Sequence, residues 1–222
     1  MDGGPIVLMG IDAEDYSQGG YHGPISSYAT IVSSVLNNVT NDGGGILVIG
    51  GGKDRFDDVT RFWNAVSLDI NQTVSFANGD GIANISFSQF ALLAIASSIT
   101  STPSGGLTQE ENKLLVSRKK DIAKFVNTGG GLIGFSQTGL TKPYAYLTNI
   151  GKFRVNTNLN YDNITSTPAG RSIGIANSNL DIAIWHDEYV TFPSFLHVLA
   201  INNSTGKAAA IGGRSVTPSK IL

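Results

Sequence analysis

The sequence predicts an α/β protein, with a mainly parallel open sheet that carries helices on both faces and a small antiparallel C-terminal portion. Short, continuously apolar runs alternate with longer segments of helical spacing over roughly the first 135 residues. Runs that lack polar alternation are typical of parallel strands buried on both faces. Near the C-terminus, two apolar runs instead flank a short polar turn, which indicates an antiparallel hairpin.

Each predicted strand of the parallel part is a short apolar run bounded by glycine or polar residues. These strands are Pro5 to Ile11, Gly45 to Ile49, Thr73 to Ala77, Ala91 to Ala96, Gly131 to Phe135 and Ile182 to Trp185. The later pattern is looser and predicts a short strand at Phe153 to Asn156 and the hairpin strands Leu196 to Asn202 and Lys207 to Gly212.

Three helices follow from apolar residues that recur at helical spacing. Pro24 opens the first, which ends before the turn-forming residues from Asn41 to Gly44. Lys53 to Leu68 is the second, and Thr108 to Asn127 is the third. Thr108 and Glu111 have the spacing of a capping box, and a triple glycine ends the third helix. Helices alternating with strands in this way predict a sheet covered on both sides.

Composition limits the class of protein. A length of 222 residues with 41% hydrophobic residues fits one domain spanning 1–222. The net charge of −2, without clustered basic residues, argues against a nucleic-acid partner. The absence of cysteine excludes disulfides, thiolate metal sites and a cysteine nucleophile. No apolar run is long enough for membrane insertion.

The composition also favours an extracellular or cell-surface location. Only 14% of residues are charged, while glycine, asparagine, serine and threonine are abundant, which is commoner in extracellular or cell-surface proteins. Cysteine-free chains are frequent among exported proteins of Gram-positive bacteria. Met1 to Pro5 does not match a signal peptide, so the chain is expected to be either cytoplasmic or a domain of a larger exported protein.

Polar groups follow three of the predicted strands. Gly50 to Gly52 follows the second strand, Ser136 and Gln137 follow the fifth, and the triplet from His186 to Glu188 follows Trp185. Open α/β sheets bind their ligands at the carboxyl ends of the strands. These segments are therefore expected to meet at one edge.

The order of these motifs resembles the class I glutamine amidotransferase-like superfamily, which has a flavodoxin-like three-layer α/β sandwich. The resemblance covers roughly residues 5 to 190. It implies that Gly51 and Gly52 lie in an oxyanion turn, that Ser136 is at the nucleophile position, and that His186 is the base oriented by Glu188. The segment from Pro5 to Asp15, with His22, also resembles modules of large surface or secreted proteins of Bacillus-like bacteria.

The resemblance places Ser136 in a nucleophile elbow, the tight turn from Ser136 to Thr138 after the fifth strand. Two features of this elbow argue against activity. Serine replaces the cysteine of glutaminases at position 136, so glutamine hydrolysis is not expected. Thr138 occupies the place where a tight nucleophile elbow requires a small residue, and its β-branched side chain resists that turn. The alternative interpretation is that Ser136 caps a short helix or ends a strand.

A second cluster lies in the loop after the first strand. Asp12, Glu14, Asp15 and His22 place three carboxylates and an imidazole within eleven residues. Carboxylate oxygens suit Ca²⁺ or another hard divalent cation, and His22 or His186 alongside them suits a transition metal. A solvated acidic loop without a cation is the simpler interpretation.

Three functional hypotheses follow. The first and favoured one is a non-catalytic amidotransferase-like module of a bacterial surface or extracellular protein, which acts in assembly or ligand binding, with itself or with other domains as partners. The second is a serine hydrolase of peptides, amides or esters that uses Ser136, His186 and Glu188, with Gly51, Gly52 and Gln137 at the oxyanion or ligand. The third is a metal-dependent or carbohydrate-active domain built on the acidic loop and His186.

Overall fold

A computed structural model of the chain describes residues 3–16, 22–176, 180 and 183–214. The strands are β1 (Pro5–Met9), β2 (Ile46–Ile49), β3 (Val74–Ala77), β4 (Leu92–Ile95), β5 (Gly131–Gly134), β6 (Arg154–Asn156), β7 (Ile164–Ser166), β8 (Glu188–Thr191), β9 (Leu196–Asn202) and β10 (Ala208–Arg214). The helices are α1 (Ile25–Leu36), α2 (Asp58–Asp69), α3 (Gly81–Asn84), α4 (Gln109–Ser117), α5 (Lys119–Asn127) and α6 (Pro168–Ser172).

The described residues form one mixed ten-stranded sheet. Its main order is β3-β2-β4-β5-β1-β10-β8-β6, with β9 paired to β10 and β7 paired to β9. The first five strands of this order are parallel, and β10 then joins β1 in the antiparallel direction. The predicted α/β class, with a parallel part and an antiparallel C-terminal part, is confirmed.

Two apolar clusters lie on opposite faces of the sheet, as the alternation of strand side chains requires. Val7 and Met9 of β1 pack with α1 and α2 in one cluster. Ile6 and Leu8 pack with α4 and α5 in the other. Layers of helices therefore cover the parallel strands on both faces. None of the helices within the described residues is long and apolar enough to cross a membrane.

Three predicted elements differ from the structure. Helix α2 begins at Asp58, because the Asp57 carboxylate caps it by accepting from the Thr60 amide at 2.6 Å. The segment 108–127 is two helices separated at Arg118, although the predicted capping box of Thr108 and Glu111 is confirmed. Of the predicted strand Ile182 to Trp185, Ile182 lies outside the described residues, and Trp185 forms only isolated bridges.

Candidate functional site

Ser136 lies in the turn directly after β5, between the carboxyl ends of β1 and β4. Its amide donates to the Ile11 carbonyl at 2.9 Å, and its carbonyl accepts from the Ser98 amide at 2.9 Å. The Thr138 amide donates to the Ser136 hydroxyl oxygen at 3.3 Å. The serine is fully buried, with 0% of its surface exposed. Ser136 therefore occupies the predicted edge of the sheet, but it is not accessible to solvent.

The carboxylate of Asp187 lies against the turn that carries Ser136. Its Oδ2 atom accepts from the Gln137 amide at 2.6 Å and from the Tyr144 hydroxyl at 2.6 Å. Its Oδ1 atom accepts from the Thr138 hydroxyl at 2.7 Å. Burial raises the pKa of Asp187 above its usual value, and the donors of Tyr144 and Gln137 counteract part of that rise. Asp187 is thus the hydrogen-bonding centre of the elbow.

This arrangement fills the position that an oxyanion would need. In a nucleophile elbow, the backbone amide of the residue after the nucleophile is an oxyanion-hole donor. Here that amide belongs to Gln137, and it is bonded to Asp187. The Gln137 side chain is also buried and donates to the Ala96 carbonyl at 3.1 Å. The backbone and side-chain amide nitrogens of Gln137 both already donate hydrogen bonds within the protein. In this geometry neither is free for the predicted oxyanion or ligand-binding role.

His186 points away from this elbow, toward the loop after β1. Its Nδ1 atom lies 3.0 Å from the Leu159 carbonyl oxygen, and its Nε2 atom lies 3.0 Å from Asp12 Oδ2. Both neighbours are acceptors, so both ring nitrogens must carry a proton for both bonds to form. Burial lowers the pKa of His186, but the hydrogen bond and charge of Asp12 outweigh it, and the net pKa is raised. The geometry therefore indicates an imidazolium, which has no lone pair for a serine proton.

Glu188 is occupied elsewhere again. As the first residue of β8, it accepts from Asn156 at 3.0 Å, from Asn202 at 3.1 Å and from the Thr205 hydroxyl at 2.6 Å, and Lys207 lies 3.6 Å away. Successive side chains of an extended segment alternate in direction, so His186 and Glu188 cannot face the elbow when Asp187 does. Among the described residues, no hydrogen-bonded series of Ser136, His186 and Glu188 is formed.

The glycine turn after β2 is a packing feature. The Gly52 amide donates to the Thr60 hydroxyl oxygen at 2.9 Å, and the Gly51 carbonyl accepts from the Asn78 side chain at 3.0 Å. A β-carbon on Gly52, whose φ is +78°, would lie 2.4 Å from Phe76 Cβ. Strand β4 separates β2 from β5, which places this turn about 10 Å from the elbow at ordinary strand spacing. Gly51 and Gly52 therefore do not complete an oxyanion hole at Ser136.

Glu14 is the second buried carboxylate of this edge. Its Oε1 atom accepts from the Trp63 indole at 2.5 Å, and its Oε2 atom accepts from the Ser97 amide at 2.7 Å and from the Ser97 hydroxyl. Burial raises the pKa of the Glu14 carboxyl to about 7, and these donors offset only part of the effect. Both oxygens are occupied, so Glu14 is not available as the metal ligand that its position in the sequence suggested.

The other members of the acidic cluster do come together. His22 Nδ1 lies 3.2 Å from Asp12 Oδ1, and His22 Nε2 lies 3.7 Å from Asp15 Oδ2. One ligand atom from each of these residues can be chosen so that the three atoms lie within 4.8 Å of one another. Asp12 also holds His186 through its second oxygen. The structure thus assembles Asp12, Asp15 and His22, with His186 bound to their edge.

Three residues that organise this edge received no such role from the sequence. Asp187 and Tyr144 anchor the elbow, and Trp63 of α2 is both buried and the hydrogen-bond donor to Glu14. The strand alternation from residue 186 to 188 was the available signal for Asp187, because it allows either Asp187 or its two neighbours to face inward.

Comparison with the models of known protein families found no match, and comparison with curated proteins found none either.

The Glu188 environment predicts a pH-dependent stability. Burial raises the pKa of Glu188, but its hydrogen bonds and a nearby positive charge lower the pKa by more than burial raises it. The net pKa is therefore below the usual 4.5. The groups that lower it are Thr205, Asn156, Asn202 and Lys207. A carboxyl with a lowered native pKa stabilises the fold above its unfolded pKa, and this contribution is lost as the pH falls through the native pKa. We expect the contribution of Glu188 to the free energy of denaturant unfolding to be lost as the pH falls from 6 to 3.

The variant Glu188→Gln isolates this contribution. It keeps the side-chain volume but removes the charge, so we expect a loss of about 1 to 3 kcal/mol at pH 7 and a flatter dependence on acid. A stability profile between pH 6 and pH 3 that runs parallel to that of the wild type would show that the charge of Glu188 does not contribute.

Proposed function

We propose that this chain is a non-catalytic amidotransferase-like α/β module of a larger extracellular or cell-surface protein, and that it acts by binding. One observation carries the proposal: the amide of Gln137, the donor that an acyl-transfer site would offer to the oxyanion, is bonded to Asp187 Oδ2 at 2.6 Å. An enzyme that used this elbow would need the donor free for its substrate.

Two further observations support a non-catalytic elbow. A serine nucleophile needs a neutral base within hydrogen-bond reach, and that base needs an orienting acceptor. Both ring nitrogens of His186 face acceptors, the Leu159 carbonyl and the Asp12 carboxylate, while Ser136 is buried beside the Asp187 carboxylate. A serine hydrolase would require Asp187 to leave and His186 to turn, which would break at least five of the hydrogen bonds described above.

The surface location is supported by composition. Cysteine is absent, and only 14% of the residues are charged. Cysteine-free chains are frequent among exported proteins of Gram-positive bacteria, and the low charge provides no basic patch for nucleic acid. The proposed partners are other domains of the larger protein or further copies of this module.

An activity-based probe tests the non-catalytic assignment. We expect a fluorophosphonate probe to leave Ser136 unmodified in the purified chain, as judged by mass spectrometry, because no neutral base faces the hydroxyl. The matched control is Ser136→Ala, which should give the same result, while a known serine hydrolase in the same mixture reports an active probe. Modification of the wild type that Ser136→Ala abolishes would establish the hydrolase instead.

A further inference from the structure

Two atoms of the acidic loop are buried without a hydrogen-bond partner among the described residues. They are Oδ1 of Asp12 and Nδ1 of His22, whose residues are 2% and 5% exposed. The two atoms face each other at 3.2 Å but do not have the alignment of a hydrogen bond. Buried polar atoms are nearly always paired in folded proteins, and leaving one unpaired lowers the stability of the fold. Their convergence on one point therefore calls for a ligand.

The charges around this point specify the sign of that ligand. Asp12 and Asp15 each direct a carboxylate oxygen to His22. Within the described ranges, neither acid forms an ion pair with lysine or arginine. His186 contacts Oδ2 of Asp12, the oxygen opposite to the unpaired one. A positive ion between Oδ1 of Asp12, Asp15 and His22 would balance the charge of the two carboxylates and give the unpaired atoms a partner.

We propose that Asp12, Asp15 and His22 bind one divalent transition-metal ion, with Zn²⁺ or Mn²⁺ as the fitting class. The donor set is two carboxylate oxygens and one imidazole nitrogen, which transition metals accept. Ca²⁺ and Mg²⁺ prefer oxygen ligands throughout. Ligands at about 2.1 Å from a tetrahedral ion lie about 3.4 Å apart. Asp12 Oδ1 and His22 Nδ1, at 3.2 Å, already have this spacing. One ligand atom from each of the three residues lies within 4.8 Å of the others, so binding requires the set to contract by up to about 1.4 Å.

The surrounding residues hold this donor set in place. The Tyr28 hydroxyl donates to the His22 carbonyl, and the Tyr16 ring stacks on the His22 ring with centroids 6.2 Å apart. Glu14, between the two aspartates in sequence, is fixed by Trp63 and Ser97. The loop is thus anchored on both sides of the proposed ion, while Glu14 itself stays out of the coordination sphere.

This inference deepens the binding role proposed above and rests on it, since it names a cation as the ligand of the same edge of the sheet. The two are nevertheless separable. Probe labelling of Ser136 would contradict the non-catalytic assignment and leave the ion site standing. Absence of metal binding would remove the ion site and leave the non-catalytic assignment standing.

Metal binding by the full chain tests the inference. The purified protein is treated with chelator, dialysed, and titrated with ZnCl₂, MnCl₂ and CaCl₂ by calorimetry, with elemental analysis of the dialysed complex. We expect one Zn²⁺ or Mn²⁺ per chain and weaker binding of Ca²⁺. His22→Ala and Asp15→Asn should each weaken transition-metal binding at least about tenfold. His197→Ala, which removes an exposed histidine outside the cluster, should not change it.

Other outcomes overturn the proposal. No stoichiometric transition-metal binding, equal binding by Asp15→Asn and the wild type, loss of binding in His197→Ala, or tighter binding of Ca²⁺ would each do so. Asp15 is partly exposed, so Asp15→Asn is the variant that preserves the fold and decides the question if His22→Ala does not fold. Circular dichroism of each variant provides this check.

Discussion

Replacing Asp187 by alanine is expected to lower the free energy of unfolding by about 3 to 5 kcal/mol. The Asp187 carboxylate is buried and accepts from the Gln137 amide and from the hydroxyls of Thr138 and Tyr144. Alanine would leave these donors without an acceptor in a region that water does not reach. Each stranded donor costs stability, and the sum exceeds the effect of an ordinary surface substitution.

Urea denaturation at pH 7 measures this loss, and two variants calibrate it. Asp162→Ala removes an exposed aspartate of the loop before β7 and should change the stability by less than about 0.5 kcal/mol. Asp187→Asn keeps one carbonyl oxygen as an acceptor, so it should be less harmful than alanine. If Asp187→Ala unfolds at nearly the same urea concentration as the wild type, Asp187 is not the centre of the elbow.

The parallel part of the sheet could be predicted because strands buried on both faces appear in the sequence as continuous apolar runs. Strands β1, β2, β4 and β5 each lie within a predicted apolar run, and all are covered by helices on both sides. Such strands can be identified without knowing which strands they pair with, because the side chains on both faces are apolar.

The elements that could not be predicted depend on distant contacts. Helices α4 and α5 separate at Arg118, whose guanidinium donates to the carbonyls of Ile82 and Ile85 and lies 4.0 Å above the Phe87 ring. Helical spacing continues across this point in the sequence, so periodicity alone predicts one helix. Strand β8 was missed for a related reason, because its first residue is the polar Glu188, whose partners come from other strands and turns.

In the candidate site, the position of each residue in the fold could be predicted, but its hydrogen-bond partner could not. The sequence predicted that Ser136 and the acidic loop lie at the carboxyl ends of β5 and β1. This position follows from the order of the chain and the direction of each strand. Pairing is decided by which way each side chain turns. His186 pairs with Asp12, 174 residues away, while its neighbour Asp187 turns to the elbow. A resemblance of motifs carries no information on that choice.

Removal of the Glu14 carboxylate is the second change expected to have a large effect, about 3 to 4 kcal/mol for Glu14→Ala. Glu14 joins three parts of the fold: the loop after β1, helix α2 through Trp63, and the residue Ser97 after β4. Alanine would leave the Trp63 indole and the Ser97 amide without their acceptor, and all of these groups are buried. Glu110→Ala, in an exposed part of α4, is the matched control and should have a small effect.

A double-mutant cycle separates this link from general damage to the core. Trp63→Phe removes the indole donor but keeps an aromatic ring, and Glu14→Ala removes the acceptor. If the hydrogen bond holds the loop to α2, the two losses of unfolding free energy in urea will not add, and the coupling energy will be about 1 to 2 kcal/mol. Additive losses would mean that Glu14 acts through Ser97 alone. In that event α2 would be held to the sheet by its apolar face, with no contribution from the loop that carries Asp12 and Asp15.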